Sequence, residues 1–296
     1  MEEKENKNEE LETMNSANVQ GETQPEKDVE EKQGATMEEL GGVDELYEAF
    51  KNHKKVQLPP WLIDNDGKME IDTQELFKYI LETQPIRLVQ LENAGEIAIY
   101  KYENGKYRLW GENEIKAYIK SFLPTKIRKS THWERVYKEL KTEFTETKES
   151  DLNANEDIIN FKNCILNIKT GAVLEHDPKY LSTIQIPCNY IPNAMLPQAP
   201  FTHKFLMDIT GLNADDIMTI LEMIGAIISN VSVERFKKMF ILQGKGNTGK
   251  SVLREFIISL VGVENTHTVD MVQLNGRFGV ASLRGKRLGR KWRLKV

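Results

Sequence analysis

The sequence predicts an α/β protein: an incomplete P-loop nucleotide-binding core, a parallel sheet with flanking helices, preceded by an α+β domain and a disordered acidic N-terminal tail. Three observations predict it. GKGNTGKS, from Gly244 to Ser251, completes the G-x-x-x-x-G-K-[ST] phosphate-binding pattern between two apolar segments. Residues 87–110 are β-patterned around an Asn104-Gly105 turn. The first 40 residues carry thirteen acids against four bases and no aromatic residue, too little apolar surface to offset the entropy of ordering.

Taken in order, residues 1–42 form the tail and 43–150 the α+β domain. Residues 43–54 read as a helix that Pro59-Pro60 ends, and Trp61 opens a new unit. Asp64-Asn65-Asp66-Gly67, with Glu75 beyond, invites a calcium-loop reading. The spacing refuses it: with Asp64 as first ligand, Met69 stands where the invariant glycine belongs, so this is a turn. Residues 73–83 read as a helix, and Ile97 and Ile99 alternate ahead of a hairpin that returns through Tyr107-Arg108-Leu109-Trp110. Two helices follow, 112–122 and a second opened by a Thr131/Glu134 capping box, with Trp133, Val136, Tyr137, Leu140 and Phe144 on one face. Lys126, Arg128 and Lys129 beside Trp133 form a basic cluster, read as a solvated loop before a phosphate-backbone contact. Residues 151–200 hold a β-hairpin about Lys169-Thr170-Gly171 and a proline-punctuated linker. Residues 201–232 are helical, with Ile217, Ile220, Leu221, Ile224 and Ile228 as a core stripe, and 233–296 form the P-loop domain.

The loop follows from its parts. Residues 239–242 are a four-residue apolar run, expected as a buried parallel strand feeding the turn at Gly244. Val252, Leu253, Phe256, Ile257, Leu260 and Val261 recur at helical spacing, and Gly262 stands at the helix end. Between them, Gly244, Gly246 and Gly249 let backbone N–H groups and the positive helix end converge on a polyphosphate. The expected nucleotide contacts are Gly244, Lys245, Gly246, Asn247, Thr248, Gly249, Lys250, Ser251 and Val252. Lys250 is the catalytic candidate, reaching the β- and γ-phosphates of ATP, and Ser251 is the ligand for Mg2+.

Composition bounds the partners. Residues 41–296 carry 36 bases and 32 acids, so the part expected to fold is mildly basic although the whole chain has a net charge of −5. That balance suits nucleic acid without establishing it, since scattered lysines also make a solvated face. The N-terminus has no apolar signal region, and the apolar run 217–228 is interrupted by Glu222. A cytoplasmic location with no membrane span is expected. Cys164 and Cys188 fit no zinc or redox spacing and read as buried hydrophobes, and His176 reads as part of a polar surface turn.

Three stretches, IAIYKYENGKYRLW, INFKNCILNIKTGAVLEH with CNYIPNA, and LEMIGAIISN with FILQGKGNTGKSVL, make the chain resemble the phage and plasmid primase-helicase family from about Arg87 to Leu288. Members carry a superfamily 3 helicase domain of the AAA+ type. The resemblance implies an NTP-driven motor assembling as a homo-hexameric ring around single-stranded DNA, with replication proteins as partners, in the cytoplasm of a bacterial host. Gly244, Gly249, Lys250 and Ser251 match the family's phosphate loop.

In the family, a stretch like Gly285-Lys286-Arg287-Leu288 leads into a strand ending in acids that hold magnesium and polarise water. Here no residue after Asp270 is acidic, and the last thirteen residues carry seven bases. Truncation is the expectation this favours, leaving a fragment that binds nucleotide and hydrolyses little or none. The alternatives are a DNA-binding basic tail, with Lys286, Arg287, Arg290, Lys291 and Arg293 around Trp292, and an ordinary basic surface strand. The rival functions are a non-catalytic single-stranded nucleic-acid-binding adaptor and a small-molecule kinase, which leaves the upstream region without a role.

Overall fold

The computed structural model describes residues 34–92, 95–231, 239–268, 283 and 285–290. Among them the fold is mixed α/β, with eight α-helices and four small sheets. Three hydrophobic clusters follow one another along the chain.

The first unit begins inside the segment that composition assigns to the tail. Residues 34–42 are structured. Helix α1 (Met37–Leu40) is closed by a reciprocal cap, in which Thr36 Oγ1 accepts the Glu39 N–H and Glu39 accepts the Thr36 N–H, and by Gly41 at φ 93. Local cap chemistry outweighs mean composition here; residues 1–33 lie outside the described residues. Helix α2 (Val43–Lys51) buries Leu46 and Tyr47. Strands β1 (Leu62–Asn65) and β2 (Lys68–Ile71) then form a hairpin whose turn residues, Asp66 and Gly67, both take positive φ. Asp64 accepts the Gly67 N–H at 2.8 Å, so this carboxylate closes the turn as the spacing requires.

Helix α3 (Thr73–Thr83) starts where Asp72 accepts the Gln74 and Glu75 N–H groups. Strands β3 (Ile86–Gln90), β4 (Ile97–Glu103) and β5 (Lys106–Leu109) form an antiparallel sheet in that order, turning at Asn104 and Gly105. Helices α4 (Glu112–Ser121) and α5 (Ser130–Thr142) complete the unit, with α5 packed on α3, α4 and β4. The period-2 and period-3.6 patterns meet in one core that includes Leu46, Trp61, Leu76, Ile80, Leu88, Ile99, Ile119 and Leu140. The start of α5 differs from expectation. Lys129 is its N-cap, its N–H donating to His132 Nδ1, while Thr131 lies inside the helix and Glu134 pairs with Lys116 at 2.8 Å. An ion pair to the neighbouring helix has taken the acid that the local motif would use. Phe144 lies beyond the helix end and is exposed.

A small antiparallel sheet of β6 (Ile158–Asn160), β7 (Ile165–Asn167) and β8 (Val173–Leu174) forms the second unit. Its turn over residues 168–172 is the expected hairpin. Its core gathers Ile159, Phe161, Cys164 and Ile186, with Cys188 packed against them. Burial pushes both thiols above the ordinary range, as inert packing cysteines require. One correction arises at its edge. His176 is half-buried, with Nε2 2.9 Å from the Phe161 carbonyl, and its ring lies where a Cβ at Gly105 would stand. The histidine is a wedge between the two sheets, and Gly105 is needed for space as well as for its φ of 80.

The third unit contains α6 (Pro200–Thr210), α7 (Ala214–Ile228), α8 (Lys250–Val261) and a two-stranded parallel ladder of β9 (Thr266–Thr268) with β10 (Leu288–Arg290). The expected stripe on α7 holds: Ile217, Ile220, Leu221, Ile224 and Ile228 belong to a cluster with Leu253, Ile257 and Val261 of α8. The expected strand over 239–242 does not form. Met239, Phe240, Ile241 and Leu242 are 69, 43, 59 and 42% exposed and belong to no ladder. A strand exists only where a neighbour shares its ladder, and none of the described strands pairs with this run. Among the described strands the parallel ladder is that of β9 with β10, beside isolated parallel bridges at Ala35–Val56, Gln90–Lys148 and Phe161–Ile186. No helix among the described residues is long and apolar enough to cross a membrane.

A polar seam joins the three units. Asn160 donates to the Gly105 carbonyl at 2.9 Å and to Ser182 Oγ at 3.0 Å. Gln185 donates to the Asn104 carbonyl, and Asn265 of the third unit donates to the Gln185 carbonyl, both at 2.9 Å. Asn160, Ser182, Gln185 and Asn265 are all buried. Buried amides must find partners, and these find them across unit boundaries.

Candidate phosphate-binding loop

Residues 244–248 are exposed and lead through the half-buried Gly249, the N-cap, directly into α8, with Lys250 as the first helical residue. Gly249 has φ 80, and a Cβ there would stand 2.5 Å from Ile209 Cγ2 and 3.4 Å from Phe205 Cε2. Helix α6 thus closes one side of the loop so tightly that only glycine fits. Asn247, at φ 59, supplies a second left-handed residue, a conformation asparagine tolerates better than most side chains. The loop curls because of these two positions.

Lys250 folds back into that curl. Its Nζ donates to the Gly244 carbonyl at 3.0 Å, to the Lys245 carbonyl at 2.5 Å and to Thr248 Oγ1 at 2.9 Å. Thr248 Oγ1 in turn donates to the Lys245 carbonyl at 3.0 Å. One ammonium is therefore held among three oxygens, beside helix N–H groups that have no intrahelical acceptor. Such a centre can exchange neutral oxygens for anionic ones of a polyphosphate, with charge-assisted bonds replacing weaker ones. The residues present fit a phosphate chain. Ser251 and Val252 follow on the exposed first turn of α8, where the hydroxyl of Ser251 could reach a metal bound to phosphate. Among the described residues, no group of three or more His, Cys, Asp or Glu could hold a metal ion.

Gly249→Ala tests the built geometry. Left-handed backbone and overpacking against Ile209 together should cost about 2 to 4 kcal/mol, read as a lower thermal midpoint. Adding Ile209→Ala should return part of that loss, because the two sites touch. A melt unchanged in Gly249→Ala would show that the loop is not held against α6. The contact with α6 was not legible in the sequence: the helix is, but not the surface it faces.

The basic residues singled out in the sequence are largely engaged. Lys126 pairs with Glu48 at 2.5 Å, and Arg128 donates to the Lys120 carbonyl at 3.1 Å. Lys120 lies 4.4 Å from the centroid of the Trp133 ring. Near the C-terminus, Lys286 donates to the Glu264 carbonyl at 2.6 Å, and Arg287 donates to Asn230 Oδ1. Burial lowers the Arg287 pKa, and among the described residues its buried Nε has no hydrogen-bond partner. Lys291, Trp292 and Arg293 lie outside the described residues. The stretch Gly285-Lys286-Arg287-Leu288 does lead into a strand, β10, although its residues are Leu288, Gly289 and Arg290 with no acid.

Among family models, the one described as D5 N terminal like matches residues 41–211. A search of curated proteins gives no match. The match begins well before Arg87, where the resemblance read from sequence starts, and takes in α2, the β1–β2 hairpin and α3; it ends before the loop. More than half of the chain is matched, and the matched region contains the first unit from α2 onward and the whole second unit. The chain belongs to the D5 N terminal like family and so to the phage and plasmid primase-helicases.

Proposed function

We propose that the third unit is the nucleotide-gripping part of a superfamily 3 type helicase domain, and that the chain serves phage or plasmid DNA replication. The observation that carries this reading is the loop: a glycine-closed curl at a helix N-terminus with the Lys250 ammonium held among the Gly244 and Lys245 carbonyls and Thr248 Oγ1. Magnesium-bound ATP is the proposed ligand, with Ser251 facing the metal and residues 244–252 lining the phosphates. When bound, ATP would supply the phosphoryl chemistry of a motor. Binding is the part of the motor cycle that residues 244–252 supply in this proposal, and nucleotide binding with little or no turnover is the behaviour proposed for the 296-residue chain. Single-stranded DNA and a homo-hexameric ring are the proposed partner and assembly.

Equilibrium binding of MgATP to the purified 296-residue chain, alongside phosphate release with and without single-stranded DNA, tests this. Binding with at most trace release supports the reading. Robust DNA-stimulated release that disappears in Lys250→Ala would overturn the binding-only part. Of the basic tail that the nucleic-acid adaptor reading uses, Lys286 and Arg287 make contacts within the fold, while residues 291–296 lie outside the described residues.

A further inference from the structure

Helix α6 does more than close the loop. Phe205 and Ile209 meet the position of a Cβ on Gly249, and Phe201 stands one turn further from Phe205 on the same helical face, at the i, i+4, i+8 spacing. Its ring is 90% exposed, whereas Phe205 is packed into the cluster of the third unit. From Ile209 to Phe201 the helix rises about 12 Å. A nucleotide with its phosphates in the loop spans a comparable reach through ribose to base. Lys204, three residues on and exposed, is the neighbouring side chain besides Phe205 on this face; the exposed ring offers the flat apolar surface on which a base can stack.

We propose that Phe201 is a base-stacking residue of the nucleotide site, giving the loop a preference for nucleoside triphosphates over bare polyphosphate and for large purine rings over pyrimidines. The inference rests on the nucleotide reading of the loop and names what lies at the other end of the ligand. One aromatic–base stack corresponds to roughly tenfold in affinity. Purines gain most because they offer the larger face.

Calorimetric titration of the 296-residue chain with MgATP, MgUTP and magnesium tripolyphosphate separates the claims. MgATP should bind about tenfold more tightly than tripolyphosphate. Phe201→Ala should abolish that difference and leave tripolyphosphate affinity unchanged; the variant keeps its fold because the ring it removes is exposed. Phe201→Trp should be quenched by MgATP and not by tripolyphosphate. Equal affinity of the wild-type chain for MgATP and tripolyphosphate, or wild-type MgATP affinity in Phe201→Ala, would overturn the platform while leaving the loop reading intact. Failure of all three ligands to bind would overturn the loop reading, and the platform with it.

Discussion

Lys250→Ala is expected to weaken MgATP binding to the 296-residue chain by roughly 10- to 150-fold, the equivalent of losing one charge-assisted hydrogen-bonding group worth about 1.5 to 3 kcal/mol. Tripolyphosphate should lose the same factor, because the ammonium addresses phosphate and not base. Stability should change little. All three hydrogen-bond acceptors of Lys250 belong to the exposed loop itself, at Gly244, Lys245 and Thr248, and once freed they turn to water. Lys250→Arg should be nearly as damaging: a planar guanidinium cannot take the place of a compact ammonium among three converging oxygens. Titration of the three proteins under one buffer condition checks this, together with their thermal midpoints. Unaltered MgATP binding in Lys250→Ala would remove the loop as the nucleotide site.

What the sequence made legible was local chemistry. Asp66-Gly67 and Asn104-Gly105 set two hairpin turns because both positions need positive φ, and the spacing of Ile217, Leu221, Ile224 and Ile228 specified the packed face of α7. What stayed hidden depended on neighbours distant in sequence. Residues 239–242 satisfy the apolar run of a buried strand, yet pairing is a property of two segments, and no pattern in one of them supplies the other. Glu134 fits a capping box with Thr131, but Lys116, eighteen residues away, claims it. His176 looked solvated between two acids and instead wedges against Gly105 and Phe161. The loop sits between these cases: its lysine and glycines were legible from the motif, while Ile209 and Phe205, which force Gly249 to be glycine, were not. Arg287, which one alternative placed in a DNA-binding basic tail, donates to Asn230 in the fold.

Trp61→Ala should be the most destabilising single substitution in the first unit, at about 3 to 5 kcal/mol from lost burial and the cavity left behind. Trp61 is 1% exposed and lies against Tyr79 and Phe122, with ring centroids at 4.3 and 5.5 Å. Its indole N–H donates to the Phe122 carbonyl at 2.9 Å, so truncation also strands an acceptor at the end of α4. Against a typical total of about 5 to 15 kcal/mol, such a loss takes most of the stability of the unit. The third unit should survive it. Ile228 of α7 packs against both the second and the third core, but the polar link from Asn104 and Gly105 of the first unit to Asn160 and Gln185 consists of hydrogen bonds, each contributing about 1 kcal/mol net. That is enough to orient neighbours and too little to make separate cores unfold as one. Scanning calorimetry with and without MgATP should therefore resolve two transitions, with Trp61→Ala lowering one and nucleotide raising the other. A single transition that both perturbations move would mean the seam couples the cores, and the amides of Asn160 and Gln185 would then be the groups to substitute next.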